Sequence, residues 1–92
     1  MNEKDQDQLQ AMLRDLQGLV WQHVTAIDAP AALQWMEDAL DEAYSDVPRA
    51  SLVKIFLAEI RKKAPRSLQI GESIDAIEQL LHSAFAGLAP PR

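Results

Sequence analysis

Ninety-two residues make a single domain, long enough to fold without a metal or a disulfide to brace it. Hydrophobic residues are 48% and charged residues 25%, which is too apolar for a disordered chain and ordinary for a globular one. The formal charge of −5 argues against non-specific nucleic-acid binding, because no broad positive field is there to neutralise phosphates.

Alanine and leucine dominate the apolar set and aromatics are only 5%, a balance that favours helices over sheet. With no cysteine there is no disulfide, thiolate nucleophile or thiolate metal site, and a reducing cytosol suits the chain. Met1-Asn2-Glu3-Lys4-Asp5 is acidic and polar, the wrong chemistry for a signal peptide. The longest apolar runs are four or five residues, too short to span a bilayer. The charge is unevenly spread. Residues 1–46 carry ten acidic and two basic side chains, and residues 47–92 carry four acidic and seven basic.

The first predicted helix covers about residues 5–27. Leu9, Leu13, Leu16, Val20, His23 or Val24, and Ile27 recur at steps of four and three, with Met12 and Leu19 widening the stripe. Gly18 falls mid-helix, at a cost of about 1 kcal/mol relative to alanine, and marks either a close helix approach or a bend. Asp28 is a natural cap for a second helix over about 29–44, with Pro30 tolerated in its first turn. Ala29, Leu33, Met36, Leu40 and Ala43 or Tyr44 form its apolar face. Its outer face carries Glu37, Asp38, Asp41 and Glu42, acids that the C-terminal end of the helix macrodipole disfavours.

Asp46 is read as the cap of a third helix over about 47–64, with Pro48 in its first turn. Its apolar positions (Leu52, Val53, Ile55, Phe56, Leu57, Ile60 and Ala64) make a broad stripe, as in a helix packed on two sides. Arg61, Lys62 and Lys63 fill its last turn, and Ala64-Pro65 stops it. A fourth helix is predicted over about 71–86, from Gly71 or Glu72, with Ile70, Ile74, Ile77, Leu80 or Leu81, Ala84 and Phe85 on one face. Gly87 is its C-cap and residues 87–92 are a short tail. Four such helices with short breaks predict one all-α domain, an antiparallel up-down four-helix bundle. That topology gathers Glu3, Asp5, Asp7, Asp41, Glu42 and Asp46 at one end and Arg61, Lys62, Lys63 and Arg66 at the other, an electric rod.

No constellation in the chain points to catalysis, a cofactor or a metal. Glu78 and His82 have i,i+4 spacing but lie off the apolar face, as a solvated pair does, and His23 reads as a partly buried residue with one hydrogen bond. The five serines lack the glycine-rich geometry and neighbouring base that a nucleophile needs, and three glycines build no phosphate loop. Gly71-Glu72-Ser73-Ile74-Asp75 resembles the Gly-x-Asp-Ser-Leu start of the second helix in acyl carrier proteins, but the spacing is one residue short. It reads as an acidic helix N-terminus. The basic group Arg61, Lys62, Lys63 and Arg66 exceeds what helix capping uses, which makes it a candidate contact surface. Trp21 and Trp35 are offset from the densest apolar positions, at the core edge or as binding anchors. Trp35 joins the basic group as a candidate partner-binding residue.

From Ser45 to Ala84 the chain resembles the small immunity proteins that protect lactic-acid bacteria from their own pediocin-like bacteriocins, the enterocin A immunity group. The likeness lies in Asp46-Val47-Pro48 before helix 3, the apolar Leu52-to-Lys63 helix with its basic end, Leu68-Gln69-Ile70, and the Ile74-to-Leu81 stretch. The chain is acidic where members are often lysine-rich, and its tail after helix 4 is short. The resemblance implies a non-enzymatic, cytoplasmic protein, peripheral at the inner face of the membrane. Its implied partner is a membrane-embedded sugar phosphotransferase receptor with bacteriocin bound, not nucleic acid or a small-molecule substrate. The rival expectation is a small helical adaptor or regulatory domain, binding through the acidic face of helix 2 or the tryptophans.

Overall fold

The computed structural model describes residues 3–23, 29–64 and 67–86, and nearly all of them lie in four α-helices. These are α1 (Glu3–Gln22), α2 (Ala29–Ala43), α3 (Ala50–Lys63) and α4 (Leu68–Ala86). Each helix packs against its two neighbours in a closed ring, α1 on α2, α2 on α3, α3 on α4 and α4 on α1. Among the described residues, neither diagonal pair touches. The α2–α3 contact is the most extensive and the α3–α4 contact the least. The chain is an antiparallel four-helix bundle, as its periodicities predict.

The core is the apolar stripe of each helix brought to one axis. Leu9, Leu13, Leu16 and Val20 of α1 are fully buried, and so are Val53, Leu57 and Ile60 of α3 and Ile70, Ile74, Ile77 and Leu81 of α4. Burial of each such side chain stabilises the fold by about 1.5–3 kcal/mol. Met12, Leu19 and Leu80 lie half-buried against this core. No polar or charged side chain is buried among the described residues.

α2 departs from the expected face. Its buried line is Ala32, Met36, Ala39 and Ala43, while Leu33 and Leu40 sit half-buried on one flank and Tyr44 is exposed. The other flank faces α3 through Trp35. Alanines on the axial line let α2 lie close to the centre, and its larger side chains fill the seams beside it. Gly18 does not mark a close approach either. A Cβ built there meets nothing within 4 Å, because the residue faces outward.

The helix ends also differ from expectation. α3 begins at Ala50, after an extended Arg49 (φ −104°, ψ 112°), so Pro48 precedes the helix and Asp46 does not cap it. Arg49 is the cap residue and makes no side-chain cap bond; its own backbone N–H donates to Glu42 Oε2 at 2.9 Å, which ties the start of α3 to the end of α2. α4 begins at Leu68, three residues before Gly71. Ser67 is its cap, with Oγ accepting the Ile70 N–H at 3.3 Å. Ser73 therefore lies within the helix and not at its N-terminus. The predicted end of helix 1 at Val24–Ile27, the Asp28 cap, and the Gly87 cap with its tail fall outside the described residues.

Candidate functional site

The acids at the end of α2 have a structural account that starts from backbone groups. The last carbonyls of a helix have no partner inside it. Here two glutamines from α1 supply the donors: Gln6 Nε2 donates to Ala43 O and Ser45 O, and Gln10 Nε2 donates to Ala43 O, all at 3.1 Å. Ser45 Oγ donates to Glu42 O at 2.7 Å. With the carbonyls occupied, Glu42 is free to turn toward α3. Its carboxylate also pairs with the Arg49 side chain at 3.3 Å. The Arg49 side chain and backbone N–H together hold the Glu42 carboxyl below its ordinary value. An acid misplaced at the end of α2 is well placed at the start of α3.

Arg61 is the corresponding residue at the other end. It stands in the last turn of α3, and its Nη2 lies 2.6 Å from Asp75 Oδ1 and 3.0 Å from Glu78 Oε1, both on α4. An antiparallel hairpin brings α4's second and third turns beside α3's last turn, which is why a cation reaches carboxylates one helical turn apart. Asp75 first, and then Glu78, raise the affinity of Arg61 for its proton. Lys62, another of the predicted contacts, does not join it and pairs with Glu59 of its own helix at 3.1 Å. Lys63 is half-buried and engaged, and Arg66 lies outside the described residues.

Trp35 is a packing residue. Its ring stacks on Phe56 with centroids 5.8 Å apart and an interplanar angle of 30°. That contact lies on the α2 side of α3, whereas Arg61 lies on the α4 side. The structure thus separates the two parts of the predicted surface. Trp21, by contrast, is 59% exposed and does not pack at the core edge. Leu68 is 81% exposed beside the α3–α4 turn. From the sequence, Glu78 reads as half of a solvated pair with His82, Asp75 as part of an acidic helix start and Leu68 as part of the resemblance, and none of them as a partner of Arg61 or a contact residue. Pairing the hairpin residue by residue would have placed the two acids opposite Arg61.

Each pole of the bundle proves to be mixed. Arg14 lies over the Tyr44 ring at 5.7 Å and Arg49 meets Glu42 among the acids, while Asp75 and Glu78 stand among the bases. Glu42 and Arg61 thus each meet opposite charge within their own pole of the expected rod.

His23 Nδ1 is 2.8 Å from Leu19 O, one turn back on its own helix, in keeping with a half-buried histidine holding one hydrogen bond. His82 is exposed, and Glu78 turns to Arg61. Among the described residues, no group of three or more His, Asp or Glu could hold a metal ion, and no helix is long and apolar enough to cross a membrane. No protein-family model matches the chain, and no curated protein or solved structure resembles it significantly.

Proposed function

We propose that this chain is a bacteriocin immunity protein of the pediocin-like class. It acts without chemistry, binding a membrane-embedded sugar phosphotransferase receptor from the cytosolic side once bacteriocin has engaged it and holding that complex closed. The observation that supports this reading is the sequence of the α3–α4 hairpin. Val47-Pro48 leads into an apolar helix with Arg61, Lys62 and Lys63 at its end, followed by Leu68-Gln69-Ile70 and the Ile74-to-Leu81 stretch. The hairpin's outer surface offers Lys62 and Leu68 to a partner, both strongly exposed.

Expression in a bacteriocin-sensitive strain should confer resistance to a cognate pediocin-like peptide, read as growth at an otherwise lethal dose. Absence of protection against every such peptide tried would remove the reading. A small helical adaptor is the second reading, supported by the exposure of Trp21 on α1. It expects co-purification of one soluble protein and no permease, with Trp21→Ala abolishing the recovery.

A further inference from the structure

α1 and α2 each carry a second stripe beside the core stripe. On α1 it is Gln10, Arg14, Gln17 and Trp21, at steps of four, three and four, which keep to one side of a helix. On α2 it is Leu33, Glu37, Leu40 and Tyr44, at the same steps. Tyr44 belongs to it because its backbone N–H still donates to Leu40 O, at 3.0 Å. Two contacts join the stripes: Gln10 Nε2 donates to Ala43 O, and the Arg14 guanidinium lies over the Tyr44 ring. Counting back along the antiparallel pair from those contacts sets Leu40 beside Arg14, Glu37 beside Gln17 and Leu33 beside Trp21. The strip so formed is roughly 16 Å long, about three helical turns.

Its middle and both its ends are apolar. Trp21 and Tyr44 are each more than half exposed, one at either end, and Leu33 and Leu40 lie half-buried between them. Rings left in water give the fold only part of the burial they could supply, and tryptophan and tyrosine are the side chains that anchor protein interfaces. The charge around the strip is negative. Glu37 within it and Asp41 beside it are exposed, and among the described residues neither has an ion-pair partner. The strip also belongs to the half of the chain with ten acidic side chains against two basic ones.

We infer that this outer face of the α1–α2 hairpin docks a basic amphipathic helix of a soluble partner protein. Apolar side chains of that helix, one turn apart, cover Trp21, Leu33, Leu40 and Tyr44, and lysines or arginines on its flank meet Glu37 and Asp41. Charge complementarity selects this occupant. A second copy of the chain would set the same carboxylates against each other across a two-fold axis, and an acidic helix would be repelled. The inference goes beyond the immunity reading, which uses the α3–α4 hairpin. It rests on the adaptor reading and specifies the chemistry of its partner.

The probe is a synthetic Leu/Lys helix with its leucines on one face, titrated into the isotope-labelled full chain at physiological salt. A peptide of the same composition with the leucines scattered keeps the charge and loses the face. The chain has two tryptophans, so the two indole N–H resonances report separately. The amphipathic helix should shift that of Trp21, with the amides of Gln17, Glu37 and Leu40, and leave that of Trp35 in place. Trp21→Ala should weaken binding about tenfold, and so should Glu37→Gln with Asp41→Asn, whereas Asp75→Asn with Glu78→Gln on α4 leaves it unchanged. These are surface positions, and thermal melting checks that each variant is folded. Equal binding of the scattered peptide, equal losses in the two double variants, no loss in Trp21→Ala, shifts centred on α4, or no binding would each overturn the proposal. So would self-association of the chain that shifts the Trp21 signal without peptide, the mark of a second copy as occupant. Co-purification reads the adaptor function and the titration reads the chemistry of the surface, so each fails on its own.

Discussion

On its α2 side, α3 presents Phe56 to the face of Trp35 and begins under the Glu42 carboxylate. On its α4 side it presents Arg61 to Asp75 and Glu78 across a groove open to water. One short helix thus has an apolar seam on one flank and a polar, open seam on the other. The first seam is the most extensive helix contact in the bundle and the second the least. Burial scales with apolar area removed from water, whereas exposed ion pairs give back in desolvation most of what they gain. The α2–α3 pair is therefore expected to be held more firmly than the α3–α4 seam, where water reaches the ion pairs beside the turn.

The largest single effect should come from breaking the apolar seam. Trp35→Ala removes a half-buried ring together with its stack on Phe56, and the expected loss is about 2 kcal/mol, read as a lowered denaturant midpoint. A loss near zero would mean that the stack adds nothing and that Trp35 is available to a partner.

Glu42→Gln should cost about 1 kcal/mol at neutral pH, because it weakens the bonds to Arg49 that tie the end of α2 to the start of α3. The folded-state carboxyl lies below its ordinary 4.5. The stabilisation is therefore complete above about pH 4.5 and is lost as pH falls through the lowered folded-state value. The variant and parent should converge in acid. A difference that persists there would show that the carboxylate is not the cause.

The smallest expected change compares two glycines. Gly18→Ala places a methyl group in open space and Gly71→Ala places one 3.7 Å from Arg61 Nη1, an ordinary contact. Both should stabilise by about 0.5–1 kcal/mol through helix propensity and a less mobile unfolded chain. If Gly71→Ala destabilises, the α3–α4 seam is tighter than its open cavity indicates.

Much of this architecture is legible in the sequence, since the i, i+3, i+4 spacing of large aliphatic residues identifies three of the four core stripes. It misleads in α2 because Ala32 and Ala39 carry too little apolar surface to outweigh Leu33 and Leu40 in a periodicity, although small residues suit a helix near the bundle axis. It misplaces the start of α4 because Gly71 looks like a break, whereas Ser67 supplies the cap. The surface was harder still. Arg61, Lys62 and Lys63 read as one basic cluster along the chain, but neighbouring positions on a helix point about 100° apart. One therefore meets α4 and another pairs along α3, while Trp35 faces α3 from the far side. Long-range ion pairs such as Arg61 with Asp75 depend on hairpin register, which local pattern does not carry.

Double-mutant cycles on the two flanks of α3 test the contrast most directly. Trp35 and Phe56 should show a coupling of about 1 kcal/mol that salt does not change. Arg61 against the Asp75 and Glu78 pair should show about 0.5 kcal/mol or less at physiological salt, falling toward zero in strong salt. A coupling across the α3–α4 seam that equals or exceeds the aromatic one and resists salt would contradict the account, because that seam would then be closed.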